Sequence, residues 1–356
     1  MKKSMAKNAL KYQIYGIIFL SLLSMYPLSK SILDLSILLK TDRMIGTEDW
    51  LNSTILKKEQ LAVKIQPNRQ RILIVSGSNG LFGISAEKIS QATGIETINL
   101  SSHAGLGGEY ILNRAAKIIR KGDLILLPIE YSLYYSSGIS DDFEDRASTL
   151  NSFMISYDRE SLQQISSLAL LRFLLRNAFQ DIRTPEYQSY FRGRLSRQDI
   201  SARLQQQKDR KDDNCYSGLT INNFGDETCN VGRDNIQINP KVLEPVLSSA
   251  TNTEQIDPKG YISKFVTATN RIGAKIIPLY PVSTHSKHSE AIAFKKCTQE
   301  IKNFWKERKI EFRDTLQDAL LAPELMYNTP YHPKDTGRHQ RTQKIIKLVE
   351  RNLNNI

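Results

Sequence analysis

Cysteine and histidine are scarce in this sequence of 356 residues, which contains three cysteines and five histidines. His285 and His288 lack cysteine or acidic partners at the intervals that zinc sites use, so the sequence predicts neither a metal site nor a cofactor. So few cysteines also exclude a fold held together by many disulfides. One bond between Cys215 and Cys229 is compatible with their spacing in a polar segment, and Cys297 would then remain a free thiol.

No acidic residue occurs in Met1–Lys11, which carries four lysines, and no charged residue occurs in Tyr12–Leu28. This pattern predicts either a secretory signal peptide or a single transmembrane helix whose basic end lies in the cytoplasm. Because no small-x-small cleavage site follows at residues 25–27, we favour an uncleaved anchor over residues 12–29, with residues 1–11 as a cytoplasmic tail. Under either alternative the main domain is expected to be periplasmic or extracellular, with membrane lipid as a partner of the anchor.

Positive charge exceeds negative charge, and the formal net charge is +12. The excess is concentrated in two regions, of which one contains Arg172, Arg176, Arg183, Arg192, Arg194, Arg197, Arg203, Lys208, Arg210 and Lys211, and the other contains Arg338, Arg341, Lys344 and Lys347. Such regions are typical of a solvated face attracted to anionic lipid, or of a groove for an acidic polysaccharide. Nucleic acid is not an expected partner, because the sequence contains no recognised nucleic-acid-binding module.

One short stretch suggests a reactive side chain. Aliphatic residues at 72–75 predict a buried parallel strand, and the small residues that follow predict a sharp turn into a helix near Ser85. Such a turn lifts a side chain above the carboxyl edge of the sheet, where open α/β folds place their sites. Ser78 occupies that position and is a candidate nucleophile. Alternatively, Ser78 and its neighbours Ser76 and Asn79 only form the turn and cap the helix.

Alternating apolar runs and helical patterns predict an α/β fold with a parallel sheet. The strands are expected at residues 72–75, 96–100, 123–129, 273–281 and 310–313. After the anchor, the predicted segments are an amphipathic stalk at residues 30–70, an α/β domain formed by residues 71–139 and 258–356, and an insertion at residues 140–257. An insertion at the carboxyl side of a sheet is expected to form a lid or a substrate-binding wall.

His332 lies far from Ser78 in the sequence and is a candidate base. Pro330 and Pro333 flank it closely just before the last helix, so a rigid loop is expected there. A serine nucleophile needs an imidazole within hydrogen-bond reach, and the imidazole needs an acceptor that fixes its tautomer. Ser78 and His332 supply the first two members of such an arrangement.

With these two residues the chain resembles the SGNH (GDSL-like) hydrolase superfamily, whose nucleophilic serine follows the first strand and whose base histidine lies near the carboxyl terminus. The likeness is to membrane-anchored members that act on cell-envelope polysaccharides, and it covers residues 72–348 around the insertion. It implies a flavodoxin-like three-layer α/β/α sandwich with five parallel strands in the order 2-1-3-4-5. It also implies an esterase or O-acyltransferase whose partners are a polysaccharide substrate and a membrane acyl-donor protein.

The resemblance also implies where an oxyanion would be bound. In the family a glycine after the second strand gives one amide donor, which Gly105 matches here with Gly107 close behind, and the amide of Ser78 gives another. A third donor, an asparagine after the third strand, has no counterpart, because Glu130 and Tyr131 occupy that position. An ionised glutamate cannot donate a hydrogen bond, so Tyr131, another loop residue or nothing replaces this donor.

Two residues in these loops have both a functional and a structural explanation. His103 lies in the glycine-rich loop and is either a site residue or a capping or buried histidine. Asn79 follows the candidate nucleophile and is either a site residue or a turn residue. The glycines of the loop are also explained by a turn that needs a positive φ.

The third member of the catalytic group is an acid in relatives of this type, but Asn328 stands four residues before His332. An amide orients an imidazole without supplying the negative charge that stabilises the imidazolium. Three outcomes are open: a slower Ser-His pair, a triad completed by Asp335, or a degenerate site. The sequence therefore predicts a membrane-anchored esterase or O-acyltransferase, with a non-catalytic accessory protein that binds polysaccharide or assembly partners as the alternative.

Overall fold

The structure is a computed structural model that describes residues 50–136, 138–139, 148–158, 160–161, 218–231, 255–285 and 292–353. The chain divides into two compact units, one formed by residues 47–157 and 211–356 and the other by residues 1–46 and 158–210. The first unit contains the sheet and every contact discussed below. Of the second unit, only residues 158, 160 and 161 are described.

The predicted anchor at residues 12–29 and the basic stretch at residues 172–211 lie outside the described residues. Within the described ranges, no helix combines the length and the apolar character needed to cross a bilayer. The anchor and the basic groove therefore stay predictions.

Four parallel strands form the central sheet in the order β2-β1-β3-β4. Their bounds are Arg71–Ile74 for β1, Glu96–Asn99 for β2, Leu124–Leu127 for β3 and Lys275–Pro278 for β4. The α/β class, the parallel sheet and the order of its first four strands confirm the prediction. The predicted fifth strand at residues 310–313 is wrong, because these residues form no strand.

Side chains, rather than a backbone ladder, connect residues 310–313 to the end of β4. The ring of Phe312 packs on the ring of Tyr280 with centroids 4.6 Å apart, and Asp314 accepts a hydrogen bond of 2.8 Å from the Tyr280 amide. Arg341 in turn pairs with Asp314 and donates to the Tyr280 carbonyl. Glu311 and Arg313 are exposed and alternate with half-buried residues. The contacts of Phe312 and Asp314 with Tyr280 therefore fix the segment beside β4 without a strand pairing.

Helices surround the sheet. They are α1 (described over residues 50–64), α2 (Ser78–Gly83), α3 (Ala86–Thr93), α4 (Gly108–Ala116), α5 (Tyr131–Tyr134), α6 (Ser148–Tyr157), α7 (Tyr261–Ile272), α8 (Ile292–Glu307), α9 (Leu316–Ala319) and α10 (Asp335–Leu353). On one face Ile72 and Leu124 pack with residues of α3 and α10. Leu73 and Ile125, which point to the opposite face, are also fully buried, so both faces are covered as in a sandwich.

Two small strand pairs lie beyond β4. The parallel pair is β5 (Ser283–Thr284) with β6 (Leu320–Leu321), and the antiparallel pair is β7 (Met326–Thr329) with β8 (His332–Pro333). His332 therefore lies in a short strand that pairs with Thr329, and the prediction of a loop at this residue is wrong. Helix α2 was likewise not predicted, since the helix that follows β1 was expected to begin near Ser85, whereas a helix begins already at Ser78.

Part of the insertion, residues 218–231, folds back onto the edge of the sheet at β2. The Asn99 amide donates to the Phe224 carbonyl at 2.8 Å, so the segment covers backbone groups that an edge strand would leave open. The carboxylate of Asp226 accepts from the Ala86 amide at 2.8 Å and caps helix α3. Cys229 is disulfide-bonded and Cys297 is a buried free thiol, as expected for the latter, while Cys215 lies outside the described residues.

A buried ion pair joins the amino ends of β1 and β3. Arg71 and Asp123 are each 1% exposed, and Nε and Nη2 of the arginine donate to the two carboxylate oxygens at 2.8 and 3.0 Å. Asp123 also accepts from the Arg120 amide at 2.8 Å, and Arg71 donates to the carbonyls of Ala62 and Ile118. Each nitrogen of the guanidinium thus donates to at least one partner, which is what a buried charge requires.

We expect Asp123→Asn to lower the free energy of unfolding by roughly 3–5 kcal/mol, because it leaves the Arg71 guanidinium buried beside a neutral amide. Urea unfolding followed by circular dichroism measures this change. Glu311→Gln is the matched control, since Glu311 pairs with Arg313 on the surface, where solvent screens the pair and its removal should change the stability little. Equal losses for the two variants would contradict a structural role for the buried pair.

Candidate active site at the carboxyl edge of the sheet

Ser78 lies where β1 turns into a helix. The strand ends at Ile74, and Ser78 is the first residue of α2. Its flanking residues Gly77 and Asn79 are buried, whereas Ser78 is half-buried, and its hydroxyl donates to no described residue. The serine is therefore the member of this turn whose hydroxyl is available to a substrate.

The carboxylate of Glu130, at the end of β3, fixes this turn. It accepts hydrogen bonds from the amides of Gly77 and Asn79 at 3.1 and 3.0 Å, and from Oγ of Ser76 at 3.3 Å. A Cβ on Gly77 would lie 2.4 Å from the carboxylate, so this close approach requires glycine. Burial raises the pKa of Glu130, and the hydrogen bonds from Asn79 and Gly77 lower it. Ser78 is thus held between two amides that share one carboxylate.

Asn79 belongs to the frame of the turn. Its Nδ2 donates to Ser76 Oγ and to the Pro128 carbonyl, both at 2.7 Å, and its Oδ1 accepts from the Val282 amide at 3.3 Å. The side chain is fully buried. The structural interpretation therefore fits Ser76 and Asn79, whose side chains are engaged with the backbone of neighbouring strands.

Asn328 orients the ring of His332. Oδ1 of Asn328 lies 2.8 Å from Nδ1 of His332, and the two residues belong to the paired strands β7 and β8. An amide oxygen accepts hydrogen bonds only, so this contact assigns the ring proton to Nδ1 and leaves the lone pair on Nε2. That tautomer is the one in which a histidine takes a proton from a nucleophile.

The ring of His332 stacks on the ring of Phe82, with centroids 4.3 Å apart and an interplanar angle of 27°. Phe82 lies four residues after Ser78 on α2, and side chains at this spacing share one face of a helix and lean toward its amino end. His332 therefore lies against the face of α2 that carries Ser78. Sequence reasoning missed Phe82, although its spacing from the candidate nucleophile was visible.

Burial, and to a smaller extent the proximity of His103, lower the pKa of His332 to about 3. The side chain is only 6% exposed and has a neutral partner in Asn328. The imidazole is therefore neutral over the whole physiological range of pH and can accept a proton there.

Asp335 does not contact the imidazole in the way that the triad alternative requires. It is the first residue of α10, is 29% exposed, and binds Nη2 of Arg338 at 2.9 Å. The triad completed by Asp335 is therefore replaced by the contact between Asn328 and His332. A carboxylate at the start of a helix is stabilised there by the free amides, which explains this residue without catalysis.

The glycine-rich loop after β2 is organised by His103. Its Nδ1 accepts a hydrogen bond of 3.0 Å from the Gly105 amide, and the turn Ala104–Leu106 follows. Gly107 has a φ of +78°, so that glycine satisfies a backbone requirement. The Gly105 amide, which was predicted to donate to an oxyanion, is engaged with a ring instead.

Tyr131 lies in the interior. Its ring is fully buried and packs edge-on against Phe294 with centroids 5.2 Å apart. Its hydroxyl is inaccessible to solvent and lies beside Ser283. A substrate carbonyl at Ser78 cannot meet this hydroxyl without rearrangement, so Tyr131 does not fill the place of the absent donor.

Two residues that the sequence analysis did not single out, Asn230 and Lys58, form hydrogen bonds with the segments that carry His332 and His103. Asn230 donates to the Pro333 carbonyl at 2.9 Å, which ties the segment 218–231 to the residue after His332. Lys58 of α1 donates to the Ser101 carbonyl at 2.5 Å, next to the His103 loop. Burial lowers the pKa of Lys58 to about 7, while the charges of Asp226 and Glu227 raise it. These are long-range contacts that no local pattern indicates.

We expect Glu130→Gln to destabilise the protein by roughly 1–3 kcal/mol, because an amide nitrogen would then face the Gly77 or Asn79 amide, which donates in the same direction. Reactivity at Ser78 should fall with it. Thermal unfolding and active-serine labelling measure the two effects. The control is Glu96→Gln at the exposed start of β2, and a Glu130 variant that behaves like this control would show that the carboxylate does not hold the turn.

Comparison with known proteins found no match to this chain among protein-family models, curated proteins or solved structures. The resemblance to SGNH hydrolases therefore stays an expectation based on short motifs. The geometry around Ser78 and His332 is what bears on the function of this chain.

Proposed function

We propose that this protein is a serine esterase or O-acyltransferase of the SGNH type that acts on acyl groups of a cell-envelope or extracellular polysaccharide. The observation that supports the proposal most is the position of His332, which Asn328 orients through Nδ1 and which stacks on the helical face that carries Ser78. A half-buried serine and a neutral imidazole against the same helical face are two of the groups that nucleophilic catalysis by serine needs, and the proposal requires them to form a hydrogen bond when substrate binds.

In the proposed reaction Oγ of Ser78 attacks the acyl carbonyl carbon while Nε2 of His332 takes the hydroxyl proton. The carbonyl oxygen becomes an oxyanion, and the Ser78 amide, which donates to no described residue, faces it. Collapse breaks the bond to the leaving alcohol, which receives the proton from His332. The acyl group is then on Ser78, and water or a sugar hydroxyl removes it by the same steps in reverse.

Asn328 sets the limits of this chemistry. A neutral amide fixes the tautomer of His332 but adds no charge to stabilise the imidazolium that forms in the transition state. We therefore expect a low kcat for this enzyme. We prefer transfer to hydrolysis, because the predicted membrane anchor would place the site beside a lipid-side acyl donor and a growing polysaccharide.

The rival proposal is an accessory protein that keeps the fold and binds polysaccharide or assembly partners without catalysis. The neutral Asn328 and the deep burial of His332 favour it. The two proposals differ in whether Ser78 forms a covalent bond with an acyl-like reagent, and that difference can be measured directly.

We expect a fluorophosphonate probe to label the wild-type protein, 4-nitrophenyl acetate to be hydrolysed slowly, and Ser78→Ala to abolish both signals. Ser132→Ala is the matched control, since Ser132 is an exposed serine in α5 near the same edge of the sheet and its removal should change neither. Absence of labelling in folded wild-type protein would refute the enzyme and leave the accessory role.

We expect kcat/KM of the wild type to stay constant as the pH falls from 7 to 5, because a base with a pKa of about 3 remains unprotonated there. Asn328→Asp places a carboxylate beside the ring and should raise the pKa of His332, so the acid limb moves to higher pH and kcat increases about tenfold or more. Asp335→Asn should leave the limb in place. An unmoved limb in Asn328→Asp would exclude His332 as the base.

A further inference from the structure

The proposed oxyanion site lacks donors. Of the amides around the turn, that of Ser78 donates to no described residue, but those of Gly77 and Asn79 donate to Glu130. The Gly105 amide donates to His103, and the Nδ2 group of Asn79 is fully used by Ser76 and the Pro128 carbonyl. One amide alone is a weak oxyanion site, since a single missing donor costs about 10²–10³ in kcat.

His103 carries a side-chain donor whose tautomer the structure sets. The Gly105 amide donates to Nδ1 at 3.0 Å, so Nδ1 is the acceptor and the proton of the neutral ring lies on Nε2. Burial lowers the pKa of His103, which keeps the ring neutral at the pH where a base also operates. The ring therefore presents an N–H donor without becoming a cation.

The loop of His103 lies against the turn that carries Ser78. A Cβ on Gly77 would be 2.8 Å from the Cβ of Ala104, the residue after His103. The Ser102 amide donates to the Ser76 carbonyl at 3.0 Å, which fixes the two loops to each other. His103 is also close enough to His332 for a proton on one ring to disfavour a proton on the other. His103 is half-buried.

We propose that Nε2–H of His103 is the side-chain donor that binds the oxyanion formed on Ser78, and that the Gly105 amide serves to set the tautomer of this ring. His103 would then be a catalytic residue that replaces the asparagine of related sites, and Gly105 a positioning residue. A neutral imidazole is suited to this role, because it polarises a carbonyl without competing for the proton that the base must carry. The inference rests on the proposed function of Ser78.

Kinetics of three variants test this role with 4-nitrophenyl acetate as the substrate. His103→Ala removes the donor and should lower kcat about 10²–10³-fold with little change in KM. His103→Gln keeps a donor of similar reach and should recover at least about tenfold of that loss. Gly105→Ala should behave like His103→Ala, because its Cβ would lie 2.8 Å from Nδ1 and displace the ring.

The nitrogen chemical shifts of the histidine rings give a readout that does not depend on turnover. Two-bond proton–nitrogen spectra of histidine-labelled Ser78→Ala protein should show His103 as the neutral Nε2–H tautomer and His332 as the neutral Nδ1–H tautomer at pH 7. The opposite tautomer at His103 would overturn the inference.

The outcomes separate this inference from the proposed function. If the wild type is labelled at Ser78 and His103→Ala keeps full kcat, the enzyme stands and His103 is not its oxyanion donor. If the wild type is not labelled at all, the proposed function fails first. If His103→Ala raises KM and lowers stability while kcat is kept, the histidine only caps its loop.

Discussion

The buried carboxylate of Glu130 is the contact on which the candidate site depends. It draws the amides of Gly77 and Asn79 to the end of β3 and leaves Ser78 between them. Because Gly77 and Asn79 on either side of Ser78 are both fixed to Glu130 at the end of β3, the backbone sets the direction of the serine side chain. The same approach excludes any side chain at residue 77, so the identity of Gly77 follows from the position of Glu130.

The chemistry of the candidate site depends on which of its groups are charged and which are neutral. Glu130 is the acid beside the turn, but it is committed to backbone amides, and Asn328 gives His332 a neutral partner. Burial then keeps both imidazoles neutral at ordinary pH, as their lowered pKa values indicate. A site of this kind depends on hydrogen-bond donors and orientation rather than on ion pairs, which is why the tautomers of the two rings matter more than their charges.

Local patterns in the sequence predicted the parallel sheet and the sharp turn at Ser78, because buried strands and turns have local signatures. Parallel strands bring their carboxyl ends to one edge, which places the turn of Ser78 beside Glu130. The His332 segment instead reaches this turn through the antiparallel pair of β7 and β8 and the contact with Phe82, which no local pattern indicates. The role of Glu130 was not predictable, because a carboxylate that accepts from two distant amides leaves no trace in its own neighbourhood. The fifth strand was predicted from an apolar pattern that tertiary contacts through Phe312 and Asp314 override.

The insertion also makes long-range contacts that its sequence does not indicate. Its position predicted a lid or a substrate-binding wall. In the structure, residues 218–231 cover the edge of β2, cap α3 through Asp226 and reach the Pro333 carbonyl through Asn230. A segment that bonds to the edge of β2, to helix α3 and to Pro333 couples the stability of all three. Cys229 of this segment is disulfide-bonded, which adds a covalent constraint next to Asn230. The insertion is therefore part of the frame of the site, whatever its remaining residues contribute to a substrate.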